Sequence, residues 1–176
     1  MRLLAAVVLT IGAFGARAQY PDVIYVPTPQ EVVDKMLELA KVGKGDVLYD
    51  LGSGDGRIPV TAAKRFGIRA VGVDIDPERI REANDNARKN GVTSLVQFRE
   101  EDLFKTNFSD ATVVTLYLLR DLNVKLRPRL LAELKPGTRI VSHQFDMGTW
   151  QPDRKVELNG RTIYLWTIPE RKSPPR

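Results

Sequence analysis

Residues 47 to 56 read Val-Leu-Tyr-Asp50-Leu-Gly52-Ser53-Gly54-Asp55-Gly56. A short apolar run ends in a carboxylate, three glycines follow on alternate positions, and a helical pattern starts at Arg57. Glycine lets the backbone approach a ligand closely and adopt turns that a Cβ forbids. A glycine turn between a strand and a helix N-terminus is where doubly wound α/β folds hold nucleotide-like ligands. The dinucleotide spacing G-x-G-x-x-G brings a pyrophosphate onto the helix. Here the glycines run G-x-G-x-G, with an acid two residues before the first.

Two further acids follow in order. Ala70-Val-Gly-Val-Asp74-Ile75 is a Val-rich strand ending in Asp74, 24 residues after Asp50. An acid about 20 residues beyond the glycine loop commonly binds ribose hydroxyls at the end of the second strand. Asp76 precedes Pro77 and reads instead as a helix N-cap with proline at the first helical position. Val96-Gln-Phe98-Arg-Glu-Glu101-Asp102-Leu103 is a third strand followed by acids.

Taken in sequence, these pieces resemble the class I S-adenosylmethionine (SAM) methyltransferases. The resemblance implies SAM as cofactor, bound by Asp50, Gly52, Ser53, Gly54 and Gly56 of the first motif. It implies Asp74 and Ile75 at the ribose. It implies Asp102 for the adenine amino group and Leu103 for packing on the ring, with Glu101 as the rival acid. SAM carries an ammonium, a carboxylate and a sulfonium. Backbone N–H groups suit its carboxylate, and Asp50 and Asp55 suit its cationic end. More narrowly, Asp50-Leu-Gly-Ser-Gly-Asp-Gly-Arg57 and the upstream Tyr25-Val-Pro-Thr28 look like a lysine methyltransferase group. That group includes the enzymes acting on ATP synthase subunit c and on the adenine nucleotide translocator, and it implies a protein lysine as acceptor.

Methyl transfer needs an unprotonated nucleophile held in line with the C–S bond, and positioning supplies much of the acceleration. A lysine must first lose its proton, which a carbonyl, Tyr or His can assist. Tyr117 and His143 fall at the ends of the fourth and fifth strands and are the catalytic candidates, although neither is assigned as a base. Gln144, Tyr25 and Thr28 are candidates for the acceptor entrance. Trp150 and Trp166 read as core or sheet cover. No Asn/Asp-Pro-Pro-Tyr follows the fourth strand, which reads Leu116-Tyr117-Leu-Leu-Arg120 instead. Methylation of base amino groups loses support accordingly.

The elements that must position these residues alternate. Thr28-Pro29-Gln30-Glu31 predicts a capping box for a helix running to about Val42, with Val32, Val33, Met36, Leu37 and Ala40 on one stripe. Strands are expected at Val47–Leu51, Ala70–Asp74, Leu95–Arg99, Ala111–Leu118 and Arg139–Ser142. Helices are expected at Ile58–Arg65, Pro77–Lys89 and Asn123–Leu134, the last with Pro128 demanding a kink or a late start. Lys155–Leu158 and Arg161–Ile168 flank Asn159-Gly160, a strong hairpin signal. The fold class is a Rossmann-like doubly wound α/β sheet of seven strands, with strands 6 and 7 as a C-terminal antiparallel hairpin. The resemblance implies the strand order 3-2-1-4-5-7-6.

Composition bounds the rest. The chain has 176 residues, 43% apolar and 28% charged, as a single globular domain would have. It has no cysteine and one histidine, which leaves no thiolate or multi-histidine metal site and predicts no metal. Residues 1–18 read as a signal peptide: Arg2, an apolar run from Leu3 to Phe14, then Ala16-Arg17-Ala18. A membrane tether is the alternative. Cleavage would take the net charge from +5 to +3 by removing Arg2 and Arg17. That is too mild to argue for a nucleic-acid partner. Residues 19–170 are then the catalytic domain, a monomer, and 171–176 a disordered basic tail. An exported domain with possible membrane proximity sits uneasily with a cofactor made in the cytosol. Two alternatives to a lysine methyltransferase therefore stay open: an exported, non-enzymatic nucleoside- or SAM-binding module, and a small-molecule methyltransferase. The lack of an inserted lid favours a large acceptor over a small one.

Overall fold

The computed structural model describes residues 26–171. The signal peptide expected at residues 1–18, Tyr25, and residues 172–176 of the tail lie outside the described residues.

The centre of the fold is β1 (Val47–Leu51), flanked in parallel by β2 (Arg69–Asp74) and β4 (Val113–Leu116). These strands are almost continuously buried, as strands covered on both faces must be. β3 (Val96–Glu100) adds beside β2, and β5 (Arg139–His143) beside β4. The chain then turns back: β7 (Arg161–Thr167) pairs antiparallel with β5, and β6 (Arg154–Leu158) with β7. The order is β3-β2-β1-β4-β5-β7-β6, as the resemblance implied. Asn159 and Gly160 both hold positive φ (49° and 74°), so the hairpin turn is the type its residues favour.

Alternation along the strands divides the core. Leu48 and Val113 face α1 (Gln30–Leu39) and α2 (Arg57–Phe66), whose Val32, Met36, Leu37, Ile58 and Ala62 cover them. Tyr49, Leu51, Val114 and Leu116 face α4 (Arg120–Glu133), which contributes Leu126 and Leu130. α3 (Pro77–Lys89) packs Ala87 against Val60 and Ala63 of α2. Trp166 is fully buried in the α4-side core, with Trp150 against it, and its indole N–H donates to the Trp150 carbonyl at 2.9 Å.

Three expectations change. The capping box does not form: Pro29 occupies the N-cap position and no side chain caps the helix. Thr28 Oγ1 instead meets His143 Nδ1, and Glu31 accepts from Asn159 Nδ2 at 3.1 Å. Tertiary partners outcompete the local ones. β4 is shorter than Ala111–Leu118, because Tyr117 and Leu118 leave the sheet to line a cleft. α4 begins at Arg120, not Asn123, and carries Pro128 inside it.

Phe98 explains two glycines. It lies opposite Gly72 in the β2–β3 register. A Cβ on Gly72 would stand 2.5 Å from the Phe98 ring, and one on Gly56 would stand 2.4 Å from it. The glycine loop is thus seated on an aromatic ring that needs both positions bare. Gly72 has ordinary backbone angles, so its substitution tests packing alone. Gly72→Ala is expected to cost about 1–3 kcal/mol by overpacking. In urea unfolding the double variant with Phe98→Leu should recover part of that cost, a coupling that independent sites would not show.

Candidate functional site

At the C-terminal ends of β1, β2 and β4 lies a cleft of about 650 Å³. Its floor is the β1–α2 loop. Gly52 and Ser53 both donate their N–H groups to Val73 O at 2.8 Å. Gly56 N–H goes to Ser53 O, and Gly54 N–H to Asp74 Oδ2 at 2.9 Å. Four loop amides are therefore engaged within the fold, so the glycines supply shape here more than free donors. Gly52 also has positive φ (85°) and lies under Leu118, where a Cβ would come within 2.8 Å.

Three carboxylates gather around this loop. Asp50 ends β1 and is only 3% exposed. Its partner in register on β4 is Thr115, whose hydroxyl donates to Asp50 Oδ1 at 2.8 Å. Among the described residues no cation pairs with Asp50. Burial, reinforced by the like charges of Asp74 and Asp55, raises its pKa to about 8 against the pull of Thr115. Asp74 accepts from the amides of Gly54 and Asp76 and so braces the loop as well as lining the cleft. Asp55 forms a two-pronged pair with Arg57, and Arg57 Nη1 donates to Thr28 O at 2.9 Å. That guanidinium ties the chain entering α1 to the glycine loop.

The far wall comes after β3. Asp102 Oδ1 accepts from Phe104 N–H at 2.9 Å, and Leu103 and Phe104 line the cleft beside it. Glu101 lines the cleft too, with Oε1 buried and without a hydrogen bond. No helix joins β3 to β4. Arg129 of α4 holds the connection by donating to the carbonyls of Phe104 and Thr106 at 2.7 and 2.8 Å. Its guanidinium also lies over the Phe108 ring.

The other half of the cleft carries no carboxylate among its described lining residues. Val26, Pro27, Thr28, Tyr117, Leu119, Leu122 and Phe145 form it, while the lining cations are turned to the acidic side: Arg57 to Asp55, Arg79 to Asp76 and Glu82, and Lys125 over the Phe104 ring. Val26 and Leu119 are exposed at its rim, at 56% and 44%.

The sequence candidates distribute unevenly over this geometry. Asp50, Gly52, Ser53, Asp74, Ile75, Asp102, Leu103, Tyr117 and Thr28 all line the cleft. Gly54 and Gly56 lie in the same loop but not on its surface. His143 is 1% exposed and sits behind Tyr117, ring centroids 3.9 Å apart. Burial, with the Arg161 charge adding to it, lowers its pKa to about 4, so the ring is neutral. Gln144 faces away: its N–H donates to Thr162 O, and its Oε1 accepts from Thr162 N–H. The cause is backbone. Gln144 holds φ 69°, a left-handed angle uncommon for a non-glycine residue. That turn breaks the strand alternation and brings Phe145 to the cleft in its place. Phe145, Arg57, Leu119 and Arg79 were not singled out from the sequence. Arg57 alone had a signal, its place directly after the glycine loop.

Asp50 gives the site a measurable signature. The folded carboxyl keeps its proton up to about pH 8, whereas the unfolded chain releases it near 3.8. Its contribution to stability is therefore full below pH 3.8 and lost as pH rises through 8. Asp50→Asn keeps an acceptor for Thr115 and removes the titration. In ligand-free protein it is expected to be more stable than wild type at pH 8 by at least about 1 kcal/mol. Thermal melts across pH 5 to 8 should show that gap shrinking toward pH 5. A constant gap would mean that Asp50 is ionised throughout.

Comparison with known proteins places this cleft. A protein-lysine N-methyltransferase of Saccharolobus islandicus is 50% identical over 157 residues, covering 86% of this chain and 98% of the relative. The adenine nucleotide translocase lysine N-methyltransferase of Mus musculus is 36% identical over 153 residues, covering 86% of this chain and 65% of the relative. Among solved structures, a protein described as an RNA methyltransferase from Salinibacter ruber, in complex with S-adenosyl-L-homocysteine, is 59% identical. It superposes with a TM-score of 0.82, covering 85% of this chain and 98% of that one. The family model of the ANTKMT methyltransferase domain matches residues 50–154, which run from the buried carboxylate through the cleft-lining segments that follow it to the start of β6, and this chain belongs to that family.

Proposed function

We propose that this protein transfers the methyl group of SAM to the side-chain amine of a protein lysine. The observation that carries the proposal is the division of the cleft into an acidic half and an uncharged half. The acidic half fits a cationic nucleoside. Asp50 is a buried carboxylate that lacks a cation among the described residues, and an ammonium beside it would offset the repulsion from Asp55 and Asp74. Asp74, at the end of β2, is the acceptor proposed for the ribose, and Asp102, whose Oδ1 takes the Phe104 amide and whose Oδ2 lies 3.7 Å from the exposed Lys105 ammonium, is the one proposed for the adenine amine. SAM supplies an electrophilic methyl group when bound.

The uncharged half suits an amine that must arrive neutral. Apolar surroundings disfavour an ammonium, so a lysine entering between Val26, Leu119 and Phe145 is driven to release its proton to solvent. The N–C bond then forms as the S–C bond breaks. No lining carboxylate in this half would hold the lysine charged. The lysine methyltransferases among the relatives support the same acceptor.

The Salinibacter structure favours a second reading, with RNA as acceptor. Against it stands the acceptor half of the cleft, whose described lining, Val26 to Thr28, Tyr117, Leu119, Leu122 and Phe145, offers no cation to a phosphate. One experiment separates the readings. The protein is incubated with radiolabelled SAM, a membrane extract and total RNA. Label that resists ribonuclease, yields to protease and hydrolyses to methyl-lysine is the expected result. Ribonuclease-sensitive label would establish the RNA reading, and label confined to small solutes a small-molecule methyltransferase. Binding of S-adenosylhomocysteine without any transfer would leave a non-enzymatic binding module. Separately, Asp74→Ala removes both the ribose acceptor and the brace on Gly54. Calorimetry should show S-adenosylhomocysteine binding weakened by at least about tenfold; unchanged affinity would remove Asp74 from the cofactor site.

A further inference from the structure

The uncharged half of the cleft is built around aromatic rings whose positions are over-determined. Tyr117, immediately after β4, and Phe145, two residues after β5, lie 6.3 Å apart between ring centroids and within 24° of parallel. Both line the cleft, so each contributes an aromatic ring to its wall. His143 does not line it. It backs the Tyr117 ring at 3.9 Å, tilted 34°, and is buried from solvent. Its Nδ1 lies 3.2 Å from the hydroxyl of Thr28, itself buried, at the segment that Arg57 ties to the glycine loop.

Phe145 is fixed with equal care. Its carbonyl accepts from Ser142 Oγ at 2.7 Å and from Asn123 Nδ2 at 3.1 Å. Its N–H donates to His143 O at 2.9 Å. The residue before it, Gln144, is held in its left-handed conformation by two bonds to Thr162. Backbone strain kept in place by surrounding bonds is found where a side chain must be aimed. Here the side chain aimed is a phenyl ring.

We propose that Tyr117 and Phe145 are the surface on which the acceptor lysine lies, and that Thr28 and His143 are positioning residues that hold the Tyr117 ring to it. This rests on the protein-lysine assignment above. A lysine presents four methylenes and an amine. An aromatic wall covers the methylenes, and the rings attract the methylated product, which leaves the transfer as a cation. His143 acts through Tyr117. Its imidazole is neutral and walled off from the cleft, which fits packing and not proton transfer.

The test uses the full chain with membrane extract as the acceptor, titrated to obtain apparent kcat and KM for methyl transfer to protein lysine. Phe145→Ala and His143→Ala are expected to lower kcat/KM for the acceptor by about tenfold. Affinity for S-adenosylhomocysteine, measured by calorimetry, should stay within about twofold of wild type, which also certifies the fold. His143→Phe keeps a ring behind Tyr117 and should recover most of the loss. Thr28→Val removes only the hydrogen bond and should fall between them. Phe145→Leu, a milder change, should lose less than Phe145→Ala and serves if that variant fails to fold. The pH profile of kcat/KM should be the same in His143→Ala as in wild type.

Acceptor kinetics unchanged in Phe145→Ala and His143→Ala would overturn the proposal while leaving lysine methylation standing. A parallel loss of cofactor affinity would place these residues in the cofactor half or the general fold. A pH limb that disappears in His143→Ala would make His143 a base instead. Wild-type protein that labels no lysine at all would remove both the lysine assignment and this surface.

Discussion

A carboxylate taken out of water without a countercharge is costly, and Asp50, buried at the end of the central strand with no cation beside it among the described residues, meets that cost by holding its proton up to about pH 8. Among the described residues one side-chain hydrogen bond, from Thr115, answers it directly. Everything nearby accommodates this group. β4 must present a hydroxyl at the position in register, and the loop after β1 must turn sharply away. Asp74 and Asp55 then add negative charge where an apolar core would tolerate none. A fold that selected for stability alone would not assemble three acids around one turn. The arrangement makes physical sense as a place prepared for a cation.

The glycine loop is the second part of that preparation. Its amides are taken up by Val73, Asp74 and Ser53, so the loop is braced internally. Phe98 fills the space that Gly56 and Gly72 leave, which locks the loop to the sheet from below. The bare backbone of Gly52 lets Leu118 close in from above. Rigidity of this kind lowers the entropy that binding would otherwise cost.

α4 organises the other walls. Arg129 holds the β3–β4 connection, and Asn123 holds the turn after β5. Arg120 and Arg127 add bonds to Asp146 and Met147. One helix thus fixes both the wall that carries Leu103 and the wall that carries Phe145. Its near absence of amphipathic pattern follows from this double duty. Leu126 and Leu130 face the core while arginines on other faces reach loops.

Local signals in the sequence were enough for the strands, the glycine loop and the acidic line of the site, while the order of the strands in the sheet came from the family resemblance. A short apolar strand ending in a carboxylate, the Asp76-Pro77 cap and the Asn159-Gly160 turn each depend on near neighbours, so β1, α3 and the hairpin could be read directly. The acids Asp50, Asp74 and Asp102 were legible because each ends or follows a strand on the same edge of a parallel sheet. What the sequence could not decide was competition between local and distant partners. Thr28 had a local use as a cap and a distant use at His143, and the distant one won because the sheet delivers the imidazole to it. Gln144 and Phe145 exchanged places because the left-handed turn is held by Thr162, eighteen residues later and one strand over. Alternation determines which face a residue takes within a strand. Only tertiary hydrogen bonds determine where that alternation breaks, and here the break puts an aromatic ring in the cleft.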